Sequence, residues 1–321
     1  MIKASILIPV YNAEKTIQDT LNSIFKQTFN DFEIILINDG STDKSHDIIL
    51  SNQDTRIKYY INEKNKGLIY TLNKGLDLCN GEYIIRMDSD DIMLPNRVEK
   101  QIKFMDRNPD IIASGSSVIR FTPNKKEKLY TPPITPEEIK SKIYLGSPIP
   151  HPTAIIRKKI LSLYKIKYDT DYIHAEDYKL WYDLSQYGKL ANIKEPLIKY
   201  RCSESQVSNI HGTKQTENSC RLKQIMVEKF LQKYDIKLSS MLLPKDIIQI
   251  ANKLPKEKDT STIIFLMIMS LKKYNAISFI NLLFSGLYFR KGFRIKYILA
   301  ILYKHVYPLR LNKFNLFYKA K

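Results

Sequence analysis

The chain has 321 residues, 44% of them apolar, and its 51 Lys and Arg residues against 33 Asp and Glu residues give a formal net charge of +18. This length is enough for one large domain or two smaller ones, and the excess positive charge favours an anionic partner such as nucleic acid, a phosphorylated small molecule or an anionic membrane surface.

The three cysteines lack CxxC spacing, which argues against a disulfide framework or a zinc site and fits a reducing cytoplasm. The N-terminal apolar segment is too short for a signal peptide, so we expect no export.

The first 120 residues alternate between strand-like and helix-like segments. Strands are predicted over 5–11, 32–39, 56–62, 82–88 and 111–121, and helices over 13–29, 43–52, 67–79 and 95–108. Nearly continuous apolar strands in such an alternation predict a parallel sheet that is covered by helices on both faces. Ligands of these sheets bind beyond the carboxyl ends of the strands.

The polar loops of this half all follow predicted strands. They read PVYNAE (9–14), NDGSTD (38–43), NEKNKG (62–67) and DSDD (88–91). Since the carboxyl ends of parallel strands meet at one edge, we expect these four loops to form one site.

The remainder of the chain is less regular and then becomes helical. Six prolines mark turns between 122 and 150, a short strand is predicted at 153–158, and a helix at 174–188. Beyond about 210 helical patterns run to the end, so we expect a division into residues 1–210 and a helical region, 211–321. Residues 260–321 hold 11 Lys or Arg and no Asp or Glu.

The DSDD loop places three carboxylates, Asp88, Asp90 and Asp91, after an apolar strand. Like charges this close repel one another, so they need a cation or full exposure to water. A D-x-D pair on a sharp turn can hold one divalent cation against a diphosphate, and its hard oxygen ligands suit Mn²⁺ or Mg²⁺. The alternative is a solvated acidic turn.

Two other loops add candidate nucleotide contacts. Asp39 lies just past a strand end, where its carboxylate can accept hydrogen bonds from a base or ribose, and Tyr11 can stack on a flat base. The alternatives are an ordinary strand–turn–helix cap around Asp39 and a core aromatic at Tyr11.

The segments PVYNAEKTIQDTLNSI, NDGSTDKS, NKGLIYTLNKGL and GEYIIRMDSDD, in this order, resemble the nucleotide-sugar-binding half of the family 2 glycosyltransferases. The resemblance covers roughly residues 1–205. It implies a GT-A fold, which is an α/β, Rossmann-like and mostly parallel sheet with helices on both faces, followed here by the helical C-terminal region. It also implies an inverting enzyme that uses a nucleotide sugar.

The resemblance implies a role for each matching position. Asp90 would bind the metal, and Asp88 would meet the ribose or the metal. Many members carry an Arg just before the Asn of the third motif, whereas this chain has Leu72 there, with Lys66 as the candidate substitute. The implied nucleotide-sugar contacts are Pro9, Tyr11, Asp39, Asn65, Asn73, Asp88, Ser89 and Arg201.

The acceptor side is expected at the AED segment. Inverting transfer needs a base to take the proton from the acceptor hydroxyl, and the pair Glu176–Asp177 resembles the family's ED pair. Asp177 is therefore the candidate base, with Glu176 and His151 as candidate acceptor contacts and Arg201 as a candidate counter-charge to the diphosphate. The alternatives are a helix N-terminal charge effect for the pair and structural roles for His151 and Arg201.

The C-terminal region combines aromatic and basic residues, as an amphipathic helix on an anionic membrane would. The alternative is a helical subdomain with solvated basic faces. The membrane interpretation places the protein in the cytoplasm, peripherally on the inner face of the membrane. It also fits a glycolipid acceptor.

These features together predict an inverting transferase that moves a sugar, from a UDP-sugar as the favoured donor, to a saccharide or glycolipid acceptor in bacterial surface polysaccharide synthesis. A nucleotidyltransferase is disfavoured because PVYNAEK is not a Gly-rich triphosphate loop. The alternative function is a non-enzymatic binder of nucleotide sugars or polyanions, and no nucleic-acid motif appears.

Overall fold

A computed structural model describes residues 2–122, 125–202, 212–237, 244–255 and 263–264. The chain divides into two compact units. One comprises Met1–Ile139 with Ser147–His211, and the other comprises Lys140–Gly146 with Gly212–Lys321. The short segment Lys140–Gly146 thus groups with the C-terminal part of the chain, which no sequence pattern indicated.

The first unit contains a mixed sheet in which nine strands are described. Their order is β3-β2-β1-β4-β8-β6-β9-β5, with β7 paired to β6. The strands are β1 Ala4–Val10, β2 Phe32–Asn38, β3 Ile57–Ile61, β4 Tyr83–Arg86, β5 Ile92–Met93, β6 Ile111–Thr122, β7 Lys125–Tyr130, β8 Ile155–Arg157 and β9 Lys189–Arg201.

The strand directions change across the sheet. Strands β3, β2, β1 and β4 are parallel, as predicted. The three-residue β8 is antiparallel to both β4 and β6, and β6 pairs in parallel with β9. The sheet is therefore parallel from β3 to β4 and mixed beyond β4.

Helices separate the strands at the predicted places, with ends within a few residues. Those in the first 200 residues are α1 Ile17–Phe25, α2 Ser45–Leu50, α3 Leu68–Leu78, α4 Arg97–Arg107, α5 Pro136–Lys142, α6 Lys158–Leu163 and α7 Glu176–Leu184. The sequence did not indicate α5, α6, β5, β7 or β9.

Apolar residues are buried on both faces of the sheet, which explains why its central strands are almost continuously apolar. Along β1, Ile6 and Ile8 face a core with α1 and α4, whereas Leu7 between them faces a second core with α3 and α7. The prediction that helices cover both faces of the sheet is thus confirmed.

The register of the parallel strands brings their carboxyl ends to one edge. Val10 lies beside Asn38, and Asn38 beside Ile61. Hydrogen bonds then join the loops that follow: the Asn12 amide donates to Ser41 Oγ at 3.0 Å, and Thr16 Oγ1 donates to the carbonyl of Ser89 at 3.0 Å. The expectation of one shared loop edge is met.

In the second unit two helices are described, α8 Gly212–Gln232 and α9 Pro244–Lys253. The α8 helix buries an apolar stripe that includes Leu222, Met226 and Val227. Within the described ranges, no helix is long and apolar enough to cross a membrane. The membrane-binding prediction for residues 260–321 falls almost wholly outside those ranges.

Candidate active site

Asp39 follows β2 and fixes the loop that comes after β3. Its carboxylate is only 4% exposed. Oδ1 accepts from Asn62 Nδ2 at 2.8 Å and from the Lys66 amide at 2.9 Å, and Oδ2 accepts from the Gly67 amide at 2.9 Å. Asp39 thus holds loop 62–67 against the end of β2, which shapes the surface where a base would lie.

The other predicted nucleotide contacts in these loops have different surroundings. Pro9 is buried inside β1, whereas Tyr11 is 48% exposed and thus accessible to a ligand. Asn65 is exposed and accepts from the Gly67 amide at 2.9 Å. These positions are consistent with a base pocket between the first three loops.

Asn73 on α3 contacts the backbone of a distant segment. Its Nδ2 donates to the Tyr168 carbonyl at 2.9 Å, and its Oδ1 accepts from the Tyr168 amide at 2.9 Å. The side chain therefore pairs with a backbone segment as a strand would. The geometry gives Asn73 a tethering role, and its predicted contact with a nucleotide stays a prediction.

The DSDD turn follows β4 and gathers its carboxylates closely. One oxygen each of Asp88, Asp90 and Asp91 lie within 4.8 Å of one another. Asp91 is fully buried; its Oδ1 accepts from the Arg201 amide at 2.8 Å, and its Oδ2 has no partner in the described part of the chain. An orphaned buried carboxylate oxygen beside two further carboxylates is a donor set that fits a hard divalent cation.

The electrostatics of this turn agree with that fit. Burial and the neighbouring Asp88 raise the pKa of Asp90 to about 6. Burial, then Asp88 and Asp90, raise the pKa of Asp91 well above its ordinary value. Asp90 and Asp91, whose ionisation is opposed by burial and by neighbouring carboxylates, need positive charge nearby.

Two arginines supply part of that charge. Arg86, the last residue of β4, is 3% exposed and forms an ion pair with Asp88 at 2.5 Å, from Nη2 to Oδ1. Arg201, at the end of β9, donates through Nε to the Asp90 carbonyl at 2.8 Å. Arg201 therefore holds the backbone of the turn, and its predicted role toward a diphosphate is not tested by this contact.

The Glu176–Asp177 pair begins α7. Asp177 Oδ2 accepts from Ser147 Oγ at 2.9 Å, and its Oδ1 accepts from the Tyr178 amide at 2.7 Å, so the carboxylate is oriented on both sides. Burial raises the pKa of Asp177, although these hydrogen bonds and Arg86 oppose the rise. Burial and then Asp177 raise the pKa of Glu176 to about 7.

His151 lies in a short 3₁₀ turn, His151–Thr153, and is partly buried. Its Nε2 is 2.9 Å from Tyr168 Oη, and its ring meets Trp181 of α7 edge-on at 6.1 Å. Burial and then Arg86 lower the pKa of His151 well below its ordinary value. A neutral imidazole in these contacts packs the wall of the site, and the proposed acceptor contact stays a prediction.

Comparison with known proteins identifies the chain's family. The model for Glycosyl transferase family 2 matches residues 5–164. A Haemophilus influenzae protein named as an uncharacterized glycosyltransferase is 34% identical over 288 residues, which cover 86% of this chain and 89% of that protein. The chain belongs to glycosyltransferase family 2. It is therefore a glycosyltransferase, as the sequence motifs predicted.

A second relative and a solved structure are similar to this family 2 enzyme. The Escherichia coli UDP-Glc:alpha-D-GlcNAc-diphosphoundecaprenol beta-1,3-glucosyltransferase WfgD is 31% identical over 216 residues, 64% of this chain and 79% of that one. The crystal structure of S. aureus TarS 1–349 in complex with UDP-GlcNAc matches with a TM-score of 0.60 and 18% identity, over 95% of this chain and 91% of the other. The latter likeness supports the predicted GT-A fold.

Sequence reasoning missed two residues that contact the candidate site, Arg86 beside Asp88 and Ser147 beside Asp177. Arg86 had a visible signal, because a charged residue near the end of an apolar strand is costly to bury without a purpose. Ser147 had none, since only the folded chain brings it to Asp177, 30 residues away.

The two groups of carboxylates can perform two separate chemical functions. Asp88, Asp90 and Asp91 would hold a divalent cation, which when bound would offset the charge of a diphosphate. The partly buried, doubly hydrogen-bonded Asp177 can accept a proton from a hydroxyl group. Cation binding and proton acceptance are the functions that sugar transfer requires at the donor and at the acceptor, respectively.

Proposed function

We propose that the protein is an inverting glycosyltransferase that moves one sugar from a nucleotide diphosphate sugar to a saccharide hydroxyl. Two carboxylate groups carry this proposal: oxygens of Asp88, Asp90 and Asp91 lie within 4.8 Å of one another, and Asp177 is oriented by hydrogen bonds from Ser147 Oγ and the Tyr178 amide. The leaving diphosphate needs a cation to offset its charge, and the attacking hydroxyl needs a base to accept its proton.

Asp177 acts as the general base in this scheme. It takes the proton from the acceptor hydroxyl as the hydroxyl oxygen forms a bond to the anomeric carbon. The bond between that carbon and the nucleoside diphosphate breaks, and the diphosphate leaves with its electron pair from the opposite face, so the configuration inverts. Glu176 lies beside the base and contacts the acceptor.

The donor side is built from the first four loops. Tyr11 and the loop that Asp39 holds flank the base, while Asp88 and Asp90 take the ribose and the cation, Mn²⁺ or Mg²⁺. A uridine nucleotide is the favoured donor, because the E. coli relative is named for UDP-Glc and the TarS crystal contains UDP-GlcNAc.

The acceptor is a saccharide or glycolipid of a bacterial surface polysaccharide. The E. coli relative's name gives a diphosphoundecaprenol-linked sugar as its acceptor. The basic residues 260–321 would hold the enzyme on the anionic inner face of the cytoplasmic membrane, where such an acceptor is reached. Nucleic acid is not an expected partner.

The test is release of nucleoside diphosphate from a panel of nucleotide sugars, with Mn²⁺ or with EDTA, and with saccharide acceptors. Metal-dependent release from one donor is expected, with loss of release in Asp90→Asn. Asp177→Asn is expected to lose acceptor-dependent transfer but to keep slow donor hydrolysis. Asp77→Asn, on the exposed side of α3 and paired with Lys167, is the control.

Two results would contradict the proposal. One is the absence of both release and calorimetric binding for every donor in the panel. The other is full acceptor-dependent transfer by Asp177→Asn, which would leave the enzyme without its base.

A further inference from the structure

The side-chain amide of Asn62 is a buried link between Asp39 and α3. Asn62 is only 3% exposed. Its Nδ2 donates to Asp39 Oδ1 at 2.8 Å and to Thr71 Oγ1 at 3.0 Å. Its Oδ1 accepts from Lys74 Nζ at 2.8 Å, and both Thr71 and Lys74 lie on α3. The helix thus reaches Asp39 through this one amide.

Lys74 fixes the direction in which the Asn62 amide points. An ammonium group has hydrogen-bond donors and no acceptor, whereas a carboxylate has acceptors and no donor. A rotated amide would turn its NH₂ group toward the ammonium and its oxygen toward the carboxylate of Asp39, and both contacts would be repulsive. Lys74 therefore keeps a donor directed at Asp39.

The two other side chains that the third motif brings into question point elsewhere. Leu72, which stands where many family members carry Arg, is fully buried in the core. Lys66 contacts Asp39 through its backbone amide, whereas its Nζ lies over the Tyr70 ring, 4.9 Å from the centroid. Of these three residues, Lys74 is the one whose side chain joins the hydrogen bonds around Asp39.

The hydrogen bonds around Asp39 leave one of its acceptor positions open. Each oxygen of a carboxylate can accept about two hydrogen bonds. In the described ranges Oδ1 accepts two, from Asn62 and from the Lys66 amide, whereas Oδ2 accepts one, from the Gly67 amide. One open position on Oδ2 fits a base edge that has a single N–H donor.

Uracil and guanine differ in this respect. The edge of uracil has one donor, N3–H, between two carbonyl groups. Guanine has N1–H next to its 2-amino group, so its edge needs two acceptor positions side by side. Without the Asn62 donor, both oxygens of Asp39 would have an open position and could accept this pair of donors.

We infer that Lys74 is a positioning residue for base recognition. Through Asn62 it holds Asp39 with one open acceptor position, which favours a uridine nucleotide over a guanosine nucleotide. The inference rests on the proposed donor site, in which Asp39 lies beside the base. Neither the motifs nor the comparisons assign a role to Lys74 or Asn62, and with this one the preference for uracil follows from residues of this chain.

The test is calorimetric titration of the full chain with UDP and with GDP in the presence of Mn²⁺. The wild-type protein is expected to bind UDP more tightly by roughly 100-fold. Lys74→Met keeps a long, helix-forming side chain but removes the donor, so this preference is expected to fall about 10-fold. The ratio of the two affinities is the readout, because a general loss of structure weakens the binding of both nucleotides. Lys74→Arg keeps a charged donor and is expected to restore most of the preference.

Lys167→Met is the matched control, since it removes another lysine that contacts a side chain of α3, Asp77, at 2.7 Å. It is expected to leave the preference unchanged. Asn62→Ala removes the donor to Asp39 directly and is expected to lower the preference as Lys74→Met does. An unchanged ratio in folded Lys74→Met, or an equal fall in Lys167→Met, would overturn the inference. If Lys74→Met does not fold, Asn62→Ala decides, and a wild-type ratio in that variant would overturn it.

Sugar transfer by the wild-type protein separates this inference from the proposed function. If the protein transfers sugar but binds GDP as tightly as UDP, or keeps its preference in Lys74→Met, the inference fails while the proposed function stands. If it binds nucleotides but transfers no sugar, the proposed function fails and the affinity ratio still decides the role of Lys74. If it binds neither nucleotide, both fail.

Discussion

At the scale of single residues, the candidate site contains carboxylates that ionise less readily than carboxylates in water. Asp90, Glu176 and Asp177 all have a raised pKa, with burial as the first cause. Groups perturbed in this way concentrate where charge is handled during a reaction. Ionisation of these carboxylates therefore destabilises the folded protein, and this effect can be measured as a change in the free energy of unfolding.

The stability of the protein should depend on Glu176 in a pH-dependent way. Its folded pKa of about 7 lies above the ordinary 4.5, so ionising it costs the folded state more than the unfolded state, and stability is lost as pH rises between these two values. Glu176→Gln removes the cost and is expected to increase the free energy of unfolding at pH 8 by about 1–3 kcal/mol, with little change at pH 5.

Urea unfolding in EDTA at the two pH values measures this difference. Glu63→Gln, at an exposed loop position, is the control and should behave alike at both. A destabilised Glu176→Gln protein at pH 8 would show that the ionised carboxylate is a net stabilising group.

Ser147 should tune Asp177 through the hydrogen bond that it donates. Ser147→Ala removes a hydrogen-bond donor to the ionised Asp177 carboxylate. We therefore expect kcat to fall roughly 10-fold and the acid limb of the pH–rate profile to move to higher pH. Ser185→Ala removes a hydroxyl that donates to the Tyr182 carbonyl at the other end of α7 and should leave both unchanged. Unaltered kinetics in Ser147→Ala would mean that the hydrogen bond does not orient the base.

The sequence could predict those parts of the candidate site whose residues lie close together along the chain. The DSDD and ED segments are short, contiguous and chemically unusual, so their residues could be named in advance. The sequence did not indicate that the side-chain amide of Asn73 pairs with the backbone of Tyr168, 95 residues later. Partners that are far apart in the sequence, like Ser147 for Asp177, depend on tertiary structure and leave no local pattern.

At the scale of elements, loops are held to strands by a few precise contacts. Gly40 has a φ of +69°, and a Cβ there would lie 2.5 Å from the carbonyl carbon of Lys64. The chain thus needs glycine at this position both for the backbone conformation and for the close approach of loop 62–67.

Gly40→Ala is therefore expected to destabilise the protein by about 1–3 kcal/mol and to weaken UDP binding, because loop 62–67 must move. Gly67→Ala is the matched control: its φ is also positive at +88°, but a Cβ there meets nothing within 4 Å. It should cost less stability. Urea unfolding and calorimetric titration with UDP measure both effects, and equal losses in the two variants would show that backbone strain, not the clash, sets the cost.

The sheet shows where prediction from periodicity ends. The parallel strands and their helices were predictable because each strand is apolar on both faces. The long β9 was not, since Lys194, Glu195 and Pro196 interrupt it and its register with β6 shifts near this point. Its register and neighbours depend on pairing with a strand about 80 residues earlier, which no local window contains.

At the scale of the whole molecule, the net charge of +18 is unevenly distributed, because residues 260–321 carry 11 basic residues and no acidic ones. We expect the full chain to bind liposomes containing anionic lipid and binding to weaken as salt increases. A chain truncated after residue 259 should bind much less, and neutral liposomes are the control. Equal binding by the truncated chain would rule out the tail as the membrane contact.

The hydrogen bond from the Arg201 amide to Asp91 links residues 110 positions apart, and this spacing has a consequence during protein synthesis. At about 5–20 residues per second, a ribosome needs roughly 5–20 s to add those residues. For that interval the nascent chain carries three adjacent carboxylates without their arginine anchor and β6 without β9 beside it. An unpaired strand edge of this kind is prone to aggregation, so the emergence of β9, the last described strand of the sheet, ends the period in which this edge is exposed.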